Sequence, residues 1–360
     1  MVKKILVINP GSTSTKISLF HNLDEKIKVT YYHSSQDLSV FQYVIDQEAF
    51  RYTFVMKFLE ENEIDISGID IFIGRGGMIK PVMGGIYLVT PDMIRILRGA
   101  DYGEHASNLG ALLVCRISEQ VGAPSYIANP VVVDELSDIA RVSGIPEIKR
   151  RSIFHALNQK SAAEAAAVQL GIPYEKSSLI VAHMGGGISV GAHLNGRVID
   201  VNNALNGDGP FSPERSGGLP ALDLVKLALS GTFKPEEIHK RICGRGGLYA
   251  YCGTHDVREI IQRAVAGDSE ADLYHKAMVY QTAKEIGAMA AVFSGKVDAV
   301  VLTGGIAQSE ITMELLKERV SFIAPIIEIP GEREMYALAE NALAAINNKK
   351  KVKEYQDNDD

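Results

Sequence analysis

The sequence predicts an α/β protein of two domains with an internally duplicated fold. Three observations carry that prediction. The chain has 360 residues, which at roughly 100–200 residues per domain is room for two. An apolar strand, a Gly/Ser turn and an alternating strand occupy residues 2–19, and the same pattern returns at 178–194. Stretches with helical spacing of apolar residues fill the intervals, as expected of sheets covered by helices.

In chain order, the apolar run Ile5–Ile8 leads into NPGSTST, and then Ile17 and Leu19 alternate with Lys16 and Ser18. That is strand, turn, strand. A phosphate loop of the G-x-x-x-x-G-K-[ST] kind would lead into a helix; no such string occurs, and G-x-G-x-x-G is also absent. The turn is therefore a hairpin whose N–H groups and hydroxyls face an anion. A strand is expected at Ile69–Ile73, ahead of GRGGMIKP, and a helix at 104–121, stopped by Gly122 and Pro124. Pro130–Val133 reads as a strand ending at Asp134. SGIPEIKRR at 143–151 interrupts the periodic pattern and marks the expected boundary, giving domains 1–150 and 151–332. Within the second, an Ala-rich helix at 153–170 ends at Gly171. The second hairpin, SLIVAHMGGGISVGAHL, follows. The segment NGDGPFSPERSGGLP holds four Gly and three Pro in fifteen residues and must be a shaped loop. A helix at 274–293, a strand at Val297–Leu302 and a TGGIAQS turn into a further helix complete the domain. The helix at 333–347 sets Met335, Leu338, Ala339, Ala342 and Ile346 on one face, and the polar tail 348–360 is expected to fray.

Composition removes several classes of function. Hydrophobic residues make up 46% and charged residues 22%, with net charge −7 and no run of five or six basic residues, which argues against a nucleic-acid surface. Three cysteines without C-x-x-C spacing argue against a disulfide framework or a zinc site. No apolar run reaches a membrane span, and the uninterrupted run of four apolar residues before Asn9 is too short for a signal-peptide core. The chain reads as a cytoplasmic protein with no membrane partner.

The chemistry-bearing candidates sit beside Gly-rich turns or at strand ends. Asn9, Ser12, Ser14 and Lys16 belong to the first hairpin; alone they equally suit a solvated turn. His183 precedes Gly185, Gly186 and Gly187, and three glycines in a row mark close backbone approach. Arg75 lies between glycines after a buried strand, and Arg215 lies in the shaped loop. Arg75 is an ion-pair partner or an anion clamp, which a planar guanidinium suits, and Arg215 belongs to a plain surface loop or contacts an anion. Asp134 at a strand end faces a metal or caps the next helix. His105, Asn108 and His155 fall near predicted helix starts, and Glu332 and Glu334 flank the start of the last helix, where favourable charge alone accounts for them. Two phosphate hairpins, two loop arginines, histidines and acids together suit phosphoryl transfer, which is mostly positioning and charge neutralisation.

As an ordered set, VINPGSTSTKISLF, GRGGMIKPVMGG, AHMGGGISVGAHLNG, ERSGGLP, KVDAVVLTGGIAQS and PGEREMYALAENAL resemble the acetokinase family, on its butyrate and branched-chain fatty acid kinase branch. The resemblance spans the chain apart from its tail. It implies two ribonuclease-H-like (actin-like ATPase) domains with a central cleft. It also implies transfer from ATP to a short-chain carboxylate, giving ADP and an acyl phosphate, with Mg²⁺, in a dimer or larger even homo-oligomer. It implies residue roles as well. Asn9, Ser12, Ser14 and Lys16 match the first phosphate motif, His183 and Gly185–Gly187 the second, and Gly304, Gly305 and Ile306 the adenosine motif. Arg75 and Arg215 match the arginines that grip the carboxylate and the moving phosphoryl group, and His155 the histidine that steadies it. His105 and Asn108 match a pair near the acyl site. Asp134, Glu334 and Glu332 match acids linked to magnesium. VVVDELSD and HMGGGIS depart from the acetate kinase strings and favour butyrate or isobutyrate over acetate or propionate. A sugar-type kinase, or a nucleotide-gated chaperone or filament protein, uses the same hairpins and stands as the alternative.

Overall fold

The computed structural model describes residues 2–356. Its strands, in chain order, are β1 (Lys4–Pro10), β2 (Ser14–His21), β3 (Asp24–Tyr32), β4 (Ile71–Arg75), β5 (Ile86–Leu88), β6 (Ser125–Ala128), β7 (Ser178–Met184), β8 (Ile188–Leu194), β9 (Arg197–Val201), β10 (Ala299–Gly304), β11 (Ile326–Pro330) and β12 (Val352–Glu354). The chain divides into two compact units: one runs to Val133 and resumes at Arg333, and the other is Asp134–Glu332.

In unit 1 the sheet order is β12-β5-β6-β4-β1-β2-β3. β1 and β2 form an antiparallel hairpin that pairs Ile8 with Ile17 and Asn9 with Lys16. β4 lies parallel to β1, and β6 parallel to β4. Six of the seven β1 residues are buried, which suits a strand covered on both faces at the middle of a sheet. β3, with Asp24, Glu25, Lys26 and Lys28, takes the edge, where charge prevents further strand pairing. Leu6, Ile8, Ile17 and Phe72 pack with Val55 and Phe58 of the helix Glu48–Glu61 and with Leu109, Leu112 and Leu113 of the helix Asn108–Ser118. The helix Glu334–Ile346 packs against β1 and β4.

Unit 2 repeats the plan. Its sheet runs β11-β10-β7-β8-β9, with β7–β8 and β8–β9 antiparallel and β10 parallel to both β7 and β11. This matches β6-β4-β1-β2-β3 of unit 1 strand for strand, so each unit carries one ribonuclease-H-like sheet. Ile180, Ala182 and Val190 pack with Met278, Ile286 and Met289 of the long helix Ser269–Val292. On a second cluster, Ala162, Ala163 and Ala166 of the helix Ala156–Leu170 cover Leu179, Val181 and Val301.

Several local expectations differ. The units divide at Asp134, not near 143–151. Pro130–Val133 is no strand: it is a turn with a single parallel bridge from Val133 to Val82, because Pro130 cannot donate to a ladder. The helix expected from 104 begins at Asn108, leaving His105 in the turn before it. The tail does not fray up to residue 356. Val352–Glu354 pairs with β5, Lys353 donates to the Gly84 carbonyl at 2.5 Å, and Tyr355 is 4% exposed. Residues 357–360 of the expected tail lie outside the described residues.

Candidate active site

Unit 1 gathers its candidates at the ends of β1 and β4. Asn9 closes β1, Arg75 closes β4, and Glu334 opens the last helix. Asn9 Nδ2 donates to Glu334 Oε2 at 2.7 Å, and Arg75 Nη1 donates to the same oxygen at 3.3 Å. Asn9 is 2% exposed, yet its Oδ1 has no hydrogen-bond partner among the described residues. An unsatisfied buried amide oxygen costs about 1–3 kcal/mol, so something outside the chain is expected to meet it. An amide oxygen beside a carboxylate is a hard-oxygen set, which suits Mg²⁺. Ser12 is exposed and Ser14 half-buried at the hairpin, and Lys16 stands on β2 opposite Asn9.

Arg75 is set by close packing. A Cβ on Gly74 would overlap the Gly110 carbonyl, and a Cβ on Gly110 would overlap the Arg75 carbonyl. Two glycines thus let the helix Asn108–Ser118 lie directly on the end of β4. Beside it, Asn108 Oδ1 accepts from Met78 N at 2.8 Å while its Nδ2 donates to the Gly103 carbonyl at 3.0 Å. Both ends of this amide are engaged in joining the Gly77–Met78 turn to the turn before His105. The Ser107 N–H donates to His105 Nδ1, which places the neutral ring's proton on Nε2.

Unit 2 gathers a second set around the β7–β8 turn. His155 and His183 stack with ring centroids 3.9 Å apart. His155 Nδ1 pairs with Ser189 Oγ, and His183 Nδ1 with Asn158 Oδ1, each at 2.8 Å. Rings this close cannot comfortably both be charged. Arg215 Nη1 donates to the Ala204 carbonyl at 2.5 Å. It lies so near Gly187 that a Cβ there would overlap the guanidinium, with His155 Cε1 at 3.3 Å from the same point. The shaped loop is tied over the turn, since Ser212 Oγ donates to the Gly186 carbonyl at 2.6 Å and Glu214 N to the same oxygen at 3.2 Å. At the end of β10, Gly304 has φ +94°, and a Cβ there would strike the Met184 carbonyl.

A cavity of about 600 Å³ opens beside this turn, lined by Gly185, Gly186, Glu214, Gly305, Ile306, Glu332 and the segment His255–Arg258. That segment was not among the sequence candidates. Its signal is the D-x-R spacing: Asp256 caps the helix Val257–Val265 and binds Arg258 at 2.7 Å, which holds the Asp256 carboxyl at about 2. A larger groove of about 1150 Å³ in unit 1, between Leu88 and Ser125, contains none of the predicted site residues.

Asp134 carries an ion pair within its own unit. Arg141 grips both its oxygens at 2.6 Å, and Oδ1 also accepts from Leu136 N. Among the described residues no cluster of three His, Cys, Asp or Glu is arranged around a metal position. Mg²⁺ usually takes one or two carboxylates plus phosphates and waters, and the Asn9–Glu334 pair fits that pattern.

Residues 144–324 match the Acetokinase family. The chain is 50% identical over 353 residues to butyrate kinase 2 of Clostridium acetobutylicum, covering 98% of this chain and 99% of that one. This chain belongs to the acetokinase family. Butyrate kinase 1 of the same organism is 45% identical over 353 residues, with the same coverage. Among solved structures, the acetate kinase of Porphyromonas gingivalis superposes with a TM-score of 0.78 over 96% of this acetokinase and all of that chain, at 20% identity. That likeness shows the duplicated actin-like fold. No helix among the described residues is long and apolar enough to cross a membrane.

Proposed function

We propose that this acetokinase transfers the γ-phosphoryl group of ATP to butyrate, reversibly, giving ADP and butyryl phosphate. The observation that carries this reading is the near full-length identity to butyrate kinases. A short-chain carboxylate has a pKa near that of Glu, about 4.3, and is ionised at neutral pH. The acceptor therefore needs no general base. It needs relief from the repulsion between an anion and a polyphosphate.

In this reading Arg75 binds the butyrate carboxylate, and His105 with the Asn108-braced turn shapes the acyl pocket. Arg215 and His155 neutralise the phosphoryl group as it moves. The Gly185–Gly187 turn presents backbone N–H groups to the phosphates, and the cavity at Gly305 and Ile306, just after Gly304, takes the adenosine. Asn9 and Glu334 would hold Mg²⁺, which supplies charge neutralisation on the polyphosphate when bound. The test is a hydroxylamine trap with Mg-ATP and, separately, acetate, propionate, butyrate and isobutyrate. More hydroxamate from butyrate or isobutyrate than from acetate is the expected result. Acetate in first place moves the assignment to acetate kinase. No hydroxamate from any acid refutes carboxylate phosphorylation and turns attention to hydroxyl acceptors.

A further inference from the structure

Arg51 is the largest fully buried side chain among the described residues, at 0% exposure, and it sits in the first turn of the helix Glu48–Glu61. All five of its donors are used. Nε and Nη2 donate to Gln47 Oε1 at 3.0 and 2.9 Å, and Nη2 also donates to the Ser12 carbonyl at 3.1 Å. Nη1 donates to the Ser14 carbonyl at 2.7 Å and to Thr15 Oγ1 at 3.2 Å. Every acceptor is neutral, and no carboxylate pairs with this guanidinium among the described residues. Burial alone lowers its pKa to about 10, so it is charged at neutral pH.

This placement is unfavourable three times over. An unpaired buried ion costs several kcal/mol. The first turn of a helix is the positive end of its dipole and repels a cation. The neighbouring His33, 4% exposed, leaves its Nδ1 without a partner and is held neutral by burial and by the Arg51 charge. Yet the two carbonyls that Arg51 grips belong to the turn of the first hairpin, whose tip residues Ser12 and Thr13 are exposed. A guanidinium donating to the Ser12 carbonyl polarises that peptide group and makes its other end, the Thr13 N–H, a stronger donor.

We propose that Arg51 is a positioning residue for phosphoryl transfer, a cation fixed beneath the first hairpin whose counter-charge is the polyphosphate bound above it. It never touches the ligand. It turns the Ser12 and Ser14 carbonyls inward and adds a positive field to the N–H groups on the outer side. The proposal rests on the nucleotide reading of this site but not on the identity of the acceptor.

Gln47→Glu gives the cleanest test. It keeps an acceptor oxygen for Nε and Nη2 and adds a carboxylate, so Arg51 gains a counter-charge within the fold. The melting temperature without ligand is expected to stay level or rise. The upward shift produced by Mg-tripolyphosphate, which needs no acceptor, is expected to fall by half or more. In the hydroxamate assay kcat/KM for ATP is expected to drop about tenfold, with KM for butyrate unchanged. Wild-type tripolyphosphate shift and wild-type kinetics in Gln47→Glu would overturn the proposal. Arg51→Lys and Arg51→Met decide it independently should Gln47→Glu not fold. Lysine keeps the charge and should retain most of the tripolyphosphate shift, while methionine should lose it. Equal retention or equal loss in the two means that Arg51 only braces the turn. A wild type that shifts with tripolyphosphate but makes no hydroxamate defeats the butyrate reading and leaves this one standing.

Discussion

The two hairpins of this chain are built on the same strand order and are supported in opposite ways. The first turn, Gly11–Ser14, carries hydroxyls at its exposed tip and is held from within the unit by a buried cation, Arg51. The second turn, Gly185–Gly187, has no side chains of its own. A loop laid over it delivers Glu214 and Arg215, and a stacked histidine pair stands beside it. The duplicated sheet supplies position twice, and the surrounding loops assign different charges to each copy. In the proposed reaction, the first hairpin is a fixed cradle and the second carries the groups that act on the moving phosphoryl.

That contrast can be broken at its strongest point first. Arg215→Ala removes the guanidinium over the second turn. Turnover is expected to fall by about three orders of magnitude, the scale of removing a charge-stabilising donor, while Mg-ADP still raises the melting temperature. Near-normal turnover would exclude Arg215 from the chemistry. Next is Gly187→Ala, whose Cβ overlaps the Arg215 guanidinium. Displacing Arg215 and His155 by even one ångström is expected to lower kcat about a hundredfold, with KM for ATP within a few fold. An unchanged kcat would mean that the loop is free to yield.

The smallest expected effect concerns the support of the second hairpin's loop. Glu285 of the long helix Ser269–Val292 is pushed up to about 7, first by burial and then by the nearby Asp208 and Asp200, with Arg150 opposing. One turn earlier on that helix, Gln281 Oε1 accepts from Phe211 N in the Arg215 loop. A carboxylate whose pKa is raised on folding is neutral and harmless below its unfolded value. Its ionisation costs stability as pH climbs from about 4.5 toward 7, and the loss is complete above that. Glu285→Gln is therefore expected to raise the melting temperature by roughly 2–4 °C at pH 8 and by little at pH 5. A gain of the same size at both values would point to packing instead of charge.

Both hairpins, the loop arginines and the helices were legible in the sequence because their signals are local. Alternation marks β2 and β8, glycines mark the turns, and caps mark the helix ends. The lone cation on the otherwise apolar face of Arg51, Val55, Phe58 and Leu59 was also visible in principle, since a charge there interrupts an apolar stripe of helical spacing. Its meaning was not, because the carbonyls it serves lie about forty residues upstream. Asp134 shows the reverse case: a carboxylate in a suggestive place whose partner, Arg141, sits seven residues on in a segment with no periodic signal. The tail misled for a related reason. NNKKKVKEYQDNDD is polar throughout, but an edge strand is held by its backbone, and β5 offered a free ladder.

By itself the sequence determined the fold class, the duplication, the two glycine-bearing hairpin turns and the family. These follow from short-range periodicity and from motifs in a set order. Tertiary structure alone decided which polar groups meet: Asn9 with Glu334, His155 on His183, Arg215 over Gly187, and Arg51 under Ser12 and Ser14. The physical reason is that charge acts over distance in space. A carboxylate or guanidinium acquires its role from neighbours that the chain brings close only after the sheets have formed.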